Sequence, residues 1–283
     1  MIENMTVELN DIRRAVRALD LSGRPVCVHS SLRSFGRVER GATTLLQGLL
    51  AEGCTVLVPS FSIAAFAIEP PVDARMRPAR NGLDYERSTI LYLAGGRDIY
   101  MPATTEIDLS MGAIPAAIVN WPERARGNHQ LNSFAAVGPL ARLLVQDQNA
   151  TDVYAPLRAL TEQDGAIILM GVGLERMTFL HYAEQVAGRV PFRRWANGPD
   201  GKPLSVAVGS CSEGFDHFAP LLAPFNQQFL VGESIWQVFP ARQTLDVAVQ
   251  AIRYYPSITR CDDDECERCI DAIRGGPLLV SGR

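Results

Sequence analysis

An α/β fold, with a mixed central sheet and helices on both faces, is predicted by three observations. Short β-rich runs alternate with segments of helical apolar periodicity along the whole chain. One run, Ala166–Gly171 (AIILMG), is apolar throughout, as expected of a strand buried on both faces. The 283 residues are 47% hydrophobic and 20% charged, enough to bury a large core.

Leu9, Ile12, Val16 and Leu19 recur at helical spacing, so residues 7–20 are read as an amphipathic helix, with Thr6 as N-cap and Gly23 past its end. Pro25–His29 (PVCVH) is the first strand. It runs into SSLRSFGRVERG, and Ala42–Leu50 then reads as a helix. A strand, a polar loop and a helix in that order aim backbone N–H groups and a positive helix end at an anion. Arg33, Arg37 and Arg40 add charge to this loop. The plainer alternative is an ordinary connection with solvated arginines.

Thr55–Pro59 is the second strand, followed by SFSIAAF, a polar-to-apolar corner. Residues 69–108 are irregular and rich in proline and arginine, as lids and binding segments often are. Helices are expected at Met111–Val119, at Pro139–Val145 with proline in the first turn, and at Pro156–Gln163. Ser133–Val137 reads as a strand start, with His129 and Asn132 just upstream. After Ala166–Gly171 come a helix at Thr178–Ala187, strands at Leu204–Val208 and Phe229–Val231, and helices at Gly214–Leu222 and Ala241–Tyr254.

A net charge of −4 argues against nucleic acid as a partner. No apolar run approaches the length of a membrane span. The start, MIENMTVELN, lacks the basic and apolar regions of a signal peptide. A cytoplasmic protein with reduced thiols is therefore expected. GVGLER (Gly171–Arg176) has Arg176 where a dinucleotide fingerprint needs its third glycine, and no Walker loop or G-x-S-x-G elbow is present.

The candidate chemistry rests on four histidines, His29, His129, His181 and His217. His181 and Glu184 are spaced to share one helix face, with Thr178 one turn earlier. A carboxylate beside an imidazole orients the ring and stabilises its protonated form, which makes a general base. The alternative is a surface His–Glu pair of little consequence. His29 is either packed or part of a site, and the same holds for His129. Cys261, Cys266 and Cys269 form C-x4-C-x2-C in an acidic stretch. Such thiolates can bind zinc if Cys211, His217 or an Asp supplies a fourth ligand; otherwise they are reduced surface thiols on a short helix.

Several blocks together resemble one family. They are residues 28–50 (VHSSLRSFGRVERGATTLLQGLL), 57–62 (LVPSFS), 101–118, 128–139 (NHQLNSFAAVGP) and 165–184 (GAIILMGVGLERMTFLHYAE), with 239–249 more weakly. The chain resembles the aminoglycoside 3-N-acetyltransferases, antibiotic acetyltransferases with a fold distinct from the GNAT fold. The likeness runs from about residue 8 to residue 255, which suggests an acetyltransferase domain over 1–255 and a cysteine-containing tail over 256–283.

The resemblance implies acetyl-CoA as donor, an amine of an aminoglycoside as acceptor, and a role in antibiotic resistance. It implies CoA contacts from the strand end and loop His29, Ser30, Ser31, Leu32, Arg33, Ser34, Phe35, Gly36, Arg37 and Val38, and from Ser133 and Phe134. His181 matches the family's catalytic histidine, Glu184 its carboxylate partner, and Thr178 another usual position. Catalysis of this kind needs no metal. The acceptor cleft is expected to carry carboxylates, with Asp73, Asp84, Glu86, Glu106, Asp108 and Glu175 as candidates and His129 nearby; Asp73, Glu175 and His129 are assigned to it. A monomer or homodimer is expected. Two departures, the arginines of residues 69–108 and the cysteine-rich tail, leave room for a relative with another amine acceptor. A metal-dependent hydrolase using His29, His129, His181 and Glu184 is a further alternative.

Overall fold

The computed structural model describes residues 6–71 and 98–278. Among the described residues, seven strands form a mixed sheet. These are β1 (Pro25–Ser30), β2 (Thr55–Pro59), β4 (Ala125–Arg126), β5 (Phe134–Val137), β6 (Ala166–Met170), β9 (Gln227–Val231) and β10 (Ser234–Pro240). Their order across the sheet is β4-β5-β2-β1-β6-β10-β9. β1 pairs in parallel with both β2 and β6, and the outer pairings are antiparallel. A smaller antiparallel sheet joins β3 (Ala67–Ile68), β7 (Phe192–Asn197) and β8 (Pro203–Val208).

Alternation along the central strands explains why helices cover both faces. On β6, Ile167 and Leu169 point to one core, while Ala166, Ile168 and Met170 point to the other. All five residues are buried. The first core is closed by α5 (Ala141–Val145), α6 (Ala155–Glu162), α7 (Phe179–Val186) and α9 (Ala241–Tyr254). The second is closed by α1 (Leu9–Ala18), α2 (Ala42–Ala51) and α4 (Ala113–Val119). The remaining helices are short: α3 (Ile63–Phe66), α8 (Ala219–Leu222) and α10 (Glu267–Ala272). Trp236 and Phe35 meet edge to face in the second core, with centroids 6.2 Å apart.

Several element ends differ from the sequence reading. α1 starts at Leu9 because Glu8, not Thr6, caps it, in a reciprocal capping box with Asp11. Pro139 lies ahead of α5 rather than in its first turn. Residues 214–222 divide into a 3-10 turn, Phe215–Phe218, and α8. Strands β7 and β10 lack an alternating hydropathy pattern, although β10 alternates in burial, with Ser234 inside and Ile235 outside. β7 carries FRRWAN and β10 reads SIWQVFP, each mixing polar residues into partly buried faces.

Residues 256–278 fold back onto the body of the protein. Pro256–Thr259 form a 3-10 turn, Cys269 and Asp271 in α10 are buried, and the Val190 N–H donates to the Gly275 carbonyl at 2.9 Å. No helix among the described residues is long and apolar enough to cross a membrane.

Candidate active site

The three parallel strands point the same way, and their C-terminal ends open into one cleft of about 1410 Å³ lined by Ser30, Pro59 and Gly171 among others. β2 lies on one side of β1 and β6 on the other. The chain leaving β1 passes through α2 on one face, whereas α6, on the opposite face, leads into β6. The crevice outside β1 and β6 is thus a topological switch point, where open α/β sheets bind ligands.

The loop after β1 forms one wall. The Ser31 N–H donates to the Met170 carbonyl at 3.0 Å, which pins the loop to β6. A short 3-10 turn, Leu32–Phe35, ends at Gly36, whose φ of +73° is open to glycine. His29, Ser30, Ser31, Leu32, Arg33, Gly36, Arg37 and Val38 all line the cleft. Two expected donor contacts turn inward instead. Phe35 is buried against Trp236, and the Ser34 hydroxyl donates to the Ser31 carbonyl at 2.7 Å and meets Ser234 Oγ at 2.8 Å. Arg40 is held on α2 by Gln47 at 3.1 Å. Ser133 and Phe134 are fully buried and do not line the cleft. Ser133 Oγ donates to the Ser60 carbonyl and accepts from Arg126 Nε, each at 3.0 Å, so its role is to brace β5.

At the end of β6, Gly171 turns the chain with φ +65°; a Cβ there would lie 2.0 Å from Ser34 Oγ. The turn places Glu175, Arg176, Thr178 and His181 on the cleft. His181 Nδ1 donates to Glu184 Oε2 at 2.7 Å, and both side chains are about nine-tenths buried. The other oxygen, Glu184 Oε1, accepts from Arg189 Nη1. Arg189 also donates to Thr259 Oγ1 at 2.7 Å and to the Pro256 carbonyl at 2.6 Å. The buried carboxylate is therefore held from both sides, which a buried charge requires. Tyr154 stacks on the imidazole at 6.3 Å, and Phe215 meets it edge-on at 4.7 Å. A Cβ on Gly209, which follows β8, would lie 3.2 Å from His181 Nε2. Nδ1 is committed to Glu184, so Nε2 is the nitrogen presented for chemistry.

Other expectations are corrected by burial. His129 is fully buried, its Nε2 donating to the Ala207 carbonyl at 2.8 Å and its Nδ1 accepting from the Leu131 and Asn132 N–H groups at 3.2 and 2.9 Å. Both nitrogens are used by backbone, so His129 can neither contact a substrate nor ligate a metal. Burial lowers its pKa to about 4, and that of His29 likewise to about 4. Asp108 accepts from the Ile63 and Ala64 N–H groups at 3.0 Å, which secures the start of α3. Glu106 is exposed and outside the cleft lining. Asp73, Asp84 and Glu86 lie outside the described residues. Cys261, Cys266 and Cys269 do not line the cleft, and neither does His217, whose Nδ1 meets the Ile258 carbonyl at 3.2 Å.

Sequence reasoning missed Arg189, Tyr154, Phe215 and Gly209, and the cleft residues Arg194 and Arg268. Arg189 had one readable signal: a glutamate on the inner face of a helix needs a cation, and Arg189 follows directly after Gly188, where the helix ends.

A family model described as aminoglycoside 3-N-acetyltransferase matches residues 27–253, a span that contains the β1 loop and His181 through Arg189. The chain belongs to the aminoglycoside 3-N-acetyltransferase family. Aminoglycoside N(3)-acetyltransferase IX of Micromonospora chalcea is 31% identical over 172 residues, which are 58% of this chain and 57% of that relative's length. The chain thus matches little more than half of the length of that family member. Aminoglycoside acetyltransferase AAC(3)-IVa, solved as the apoenzyme, superposes with a TM-score of 0.74 over 97% of this chain and all of its own, at 23% identity. AAC-IIIb, solved as a binary complex with CoASH, gives a TM-score of 0.71 over 88% of this chain and 97% of its own, at 19% identity. These likenesses establish the acetyltransferase fold that the sequence blocks imply.

Proposed function

We propose that the chain is an acetyl-CoA-dependent N-acetyltransferase acting on an amine of an aminoglycoside. The observation that carries this reading is the buried Arg189–Glu184–His181 relay, which ends at Nε2 on a cleft whose other wall is a basic loop. The donor group fits the residues present. The cleft of about 1410 Å³ exceeds the ~300–1,000 Å³ of a usual single-ligand pocket, leaving room for donor and acceptor together. Ser30, Ser31, Gly36 and the charges of Arg33 and Arg37 line the wall that would hold its phosphates. AAC-IIIb has been solved with CoASH, and a mutant of AAC(3)-IVa with a gentamicin, which supports donor and acceptor of these classes.

When bound, the thioester would supply an activated acetyl group and a thiolate leaving group: as the C–N bond forms the C–S bond breaks, and the thiolate receives the proton that His181 has taken from the amine. A primary amine is largely protonated near neutral pH and must lose a proton to attack. Nε2 of His181 accepts that proton as general base. Glu184, accepting the Nδ1 proton, fixes the tautomer that leaves Nε2 free, and it faces the imidazolium once formed. Arg189 keeps the carboxylate from turning away. Tyr154 and Phe215 hold the ring plane, and the Thr178 hydroxyl, on the same rim, serves as a donor to the oxygen that gains charge. No acyl-enzyme is required, and no cysteine is among the described residues that line the cleft. Cys27, on β1, is fully buried, with its thiol raised out of its ordinary range by burial.

A second reading concerns the acceptor. Among the described lining residues there is one carboxylate, Glu175, against Arg33, Arg37, Arg176, Arg194 and Arg268. Arg194 on β7 stands away from the β1 loop in the chain, and a wall of this charge suits an amine that also carries an anionic group.

The deciding assay is thiol release from acetyl-CoA with a panel of aminoglycosides and a panel of amines bearing carboxylate or phosphate groups. Turnover of aminoglycosides, abolished in His181→Ala, is the expected result. Turnover confined to the anionic amines selects the second reading. Intact acetyl-CoA binding with no thiol release from any amine, or full activity in His181→Ala, refutes the proposed chemistry.

A further inference from the structure

Six cysteines are present, and two of them stand alone. Cys27, on β1, points its side chain into the first core, and Cys54 donates its thiol to the Leu21 carbonyl. The other four converge from two distant parts of the chain. Cys211 sits on the loop after β8, while Cys261, Cys266 and Cys269 belong to the segment leading into and through α10. Their four sulfurs lie within 4.8 Å of one another.

We propose that Cys211, Cys261, Cys266 and Cys269 bind one structural Zn²⁺ as a tetrathiolate site. Tetrahedral Zn–S bonds of ~2.3 Å place sulfurs ~3.8 Å apart. Cys261 and Cys269 are 3.5 Å apart, far beyond the ~2.05 Å of a disulfide, and all four are free thiols. The C-x2-C pair spans the start of α10, where Cys266 is the N-cap residue and Cys269 lies one turn on. The Cys261 N–H points at Cys269 Sγ at 3.5 Å, the kind of backbone donor that supports a ligating sulfur. His217, a rival fourth ligand in the sequence, is outside the cluster and hydrogen-bonded to the Ile258 carbonyl. Four soft sulfurs in tetrahedral reach select zinc or iron over hard cations, and four protein donors leave no open position, which makes the role structural. Binding releases the thiol protons to solvent and forms four Zn–S bonds, with no change in oxidation state.

The site's position gives it a purpose. The loop that carries Cys211 also supplies Gly209, Ser210 and Ser212 to the cleft. Arg268, between two of the ligands, lines the same cleft. Gly214 packs so closely that a Cβ there would lie 2.2 Å from the Arg260 carbonyl oxygen. Thr259 and Pro256, just ahead of Cys261, anchor Arg189 behind Glu184. One metal would therefore fasten the segment that clamps the relay to the loop that faces His181. This inference does not depend on which amine is acetylated.

The test is metal content of the full chain purified under reducing conditions. About one zinc per chain is expected for the parent and for Cys54→Ser, with loss in Cys211→Ser and Cys266→Ser. In case those two variants do not fold, a second measurement uses the parent alone: zinc removed by chelator and replaced by Co²⁺ should give sulfur-to-cobalt charge-transfer absorption and tetrahedral d–d bands, and Tm should rise when metal is restored. Less than about 0.1 zinc per chain, both as purified and after reduced protein is incubated with Zn²⁺, overturns the proposal. So does full zinc content in Cys211→Ser, or iron as the resident metal.

Discussion

Glu184→Gln separates an oriented base from a merely nearby one, because both carboxylate oxygens are already assigned. Oε1 receives Arg189 Nη1, and Oε2 receives His181 Nδ1–H at 2.7 Å. Arginine has donors only, so the amide of the variant must turn its oxygen toward Arg189. Its NH₂ then faces His181, and Nδ1 can meet it only as an acceptor. The ring proton moves to Nε2, which no longer accepts a proton from the amine. The equivalent swap in a Ser-His-Asp triad lowers kcat by ~10⁴, and a fall of ~10³–10⁴ is expected here. KM for acetyl-CoA should change little, since Glu184 does not line the cleft. Arg189 keeps Thr259 Oγ1 at 2.7 Å and the Pro256 carbonyl at 2.6 Å, but it loses a buried counter-charge, which should cost about 3–5 kcal/mol. At ~2–4 °C per kcal/mol this lowers Tm by about 6–20 °C, which a thermal melt of the variant reads separately from kcat. Steady-state thiol release gives kcat, and ¹⁵N NMR of the imidazole reports the tautomer. A kcat within tenfold of the parent, or an unchanged tautomer, would refute the relay.

Two further outcomes follow from the same geometry. In Gly209→Ala the added methyl would lie 2.8 Å from Tyr154 Oη, 3.0 Å from His181 Cδ2 and 3.2 Å from Nε2, so the Tyr154 hydroxyl must move aside and the imidazole must give by tenths of an ångström. A full ~1 Å misplacement lowers kcat ~10²-fold, so this smaller shift should lower kcat by less than that, and unchanged kinetics would show that the reaction does not depend on the exact seat of the ring. Unfolding should depend on acid in a defined window. His29 and His129 are each held neutral down to about pH 4 in the folded state, against 6.5 for the unfolded chain. Between those values the unfolded state binds more protons, so stability is complete above about pH 6.5 and falls as pH drops toward 4. Two such groups give a slope of up to about 2.7 kcal/mol per pH unit near pH 5. Urea midpoints across this range measure it, and the slope should roughly halve in His129→Asn; a flat profile would contradict the burial of these rings.

The class of fold, the basic loop at residues 30–38 and the His181–Glu184 pair were all legible in the sequence, for local reasons. A continuous apolar run commits β6 to the centre of the sheet, and i,i+3 spacing commits two side chains to one helix face. Burial depth was not local. Phe35, Ser133 and Phe134 sit in a block that reads as cofactor-binding, yet the pleat and the 3-10 turn point them into the interior. His129 stands at a strand's approach like a site residue, but its rim is closed over by the β8 carbonyl of Ala207. β7 went unseen because an arginine pair breaks its alternation.

Long-range packing, by contrast, brought Arg189, Thr259 and Pro256 behind Glu184 and chose Cys211 as the fourth thiol. Cys211 precedes its partners by about fifty residues, and no periodicity operates over that distance. Such pairings are settled by how the sheets and the returning C-terminal segment pack, because a buried carboxylate needs a cation and a cleft needs both of its walls.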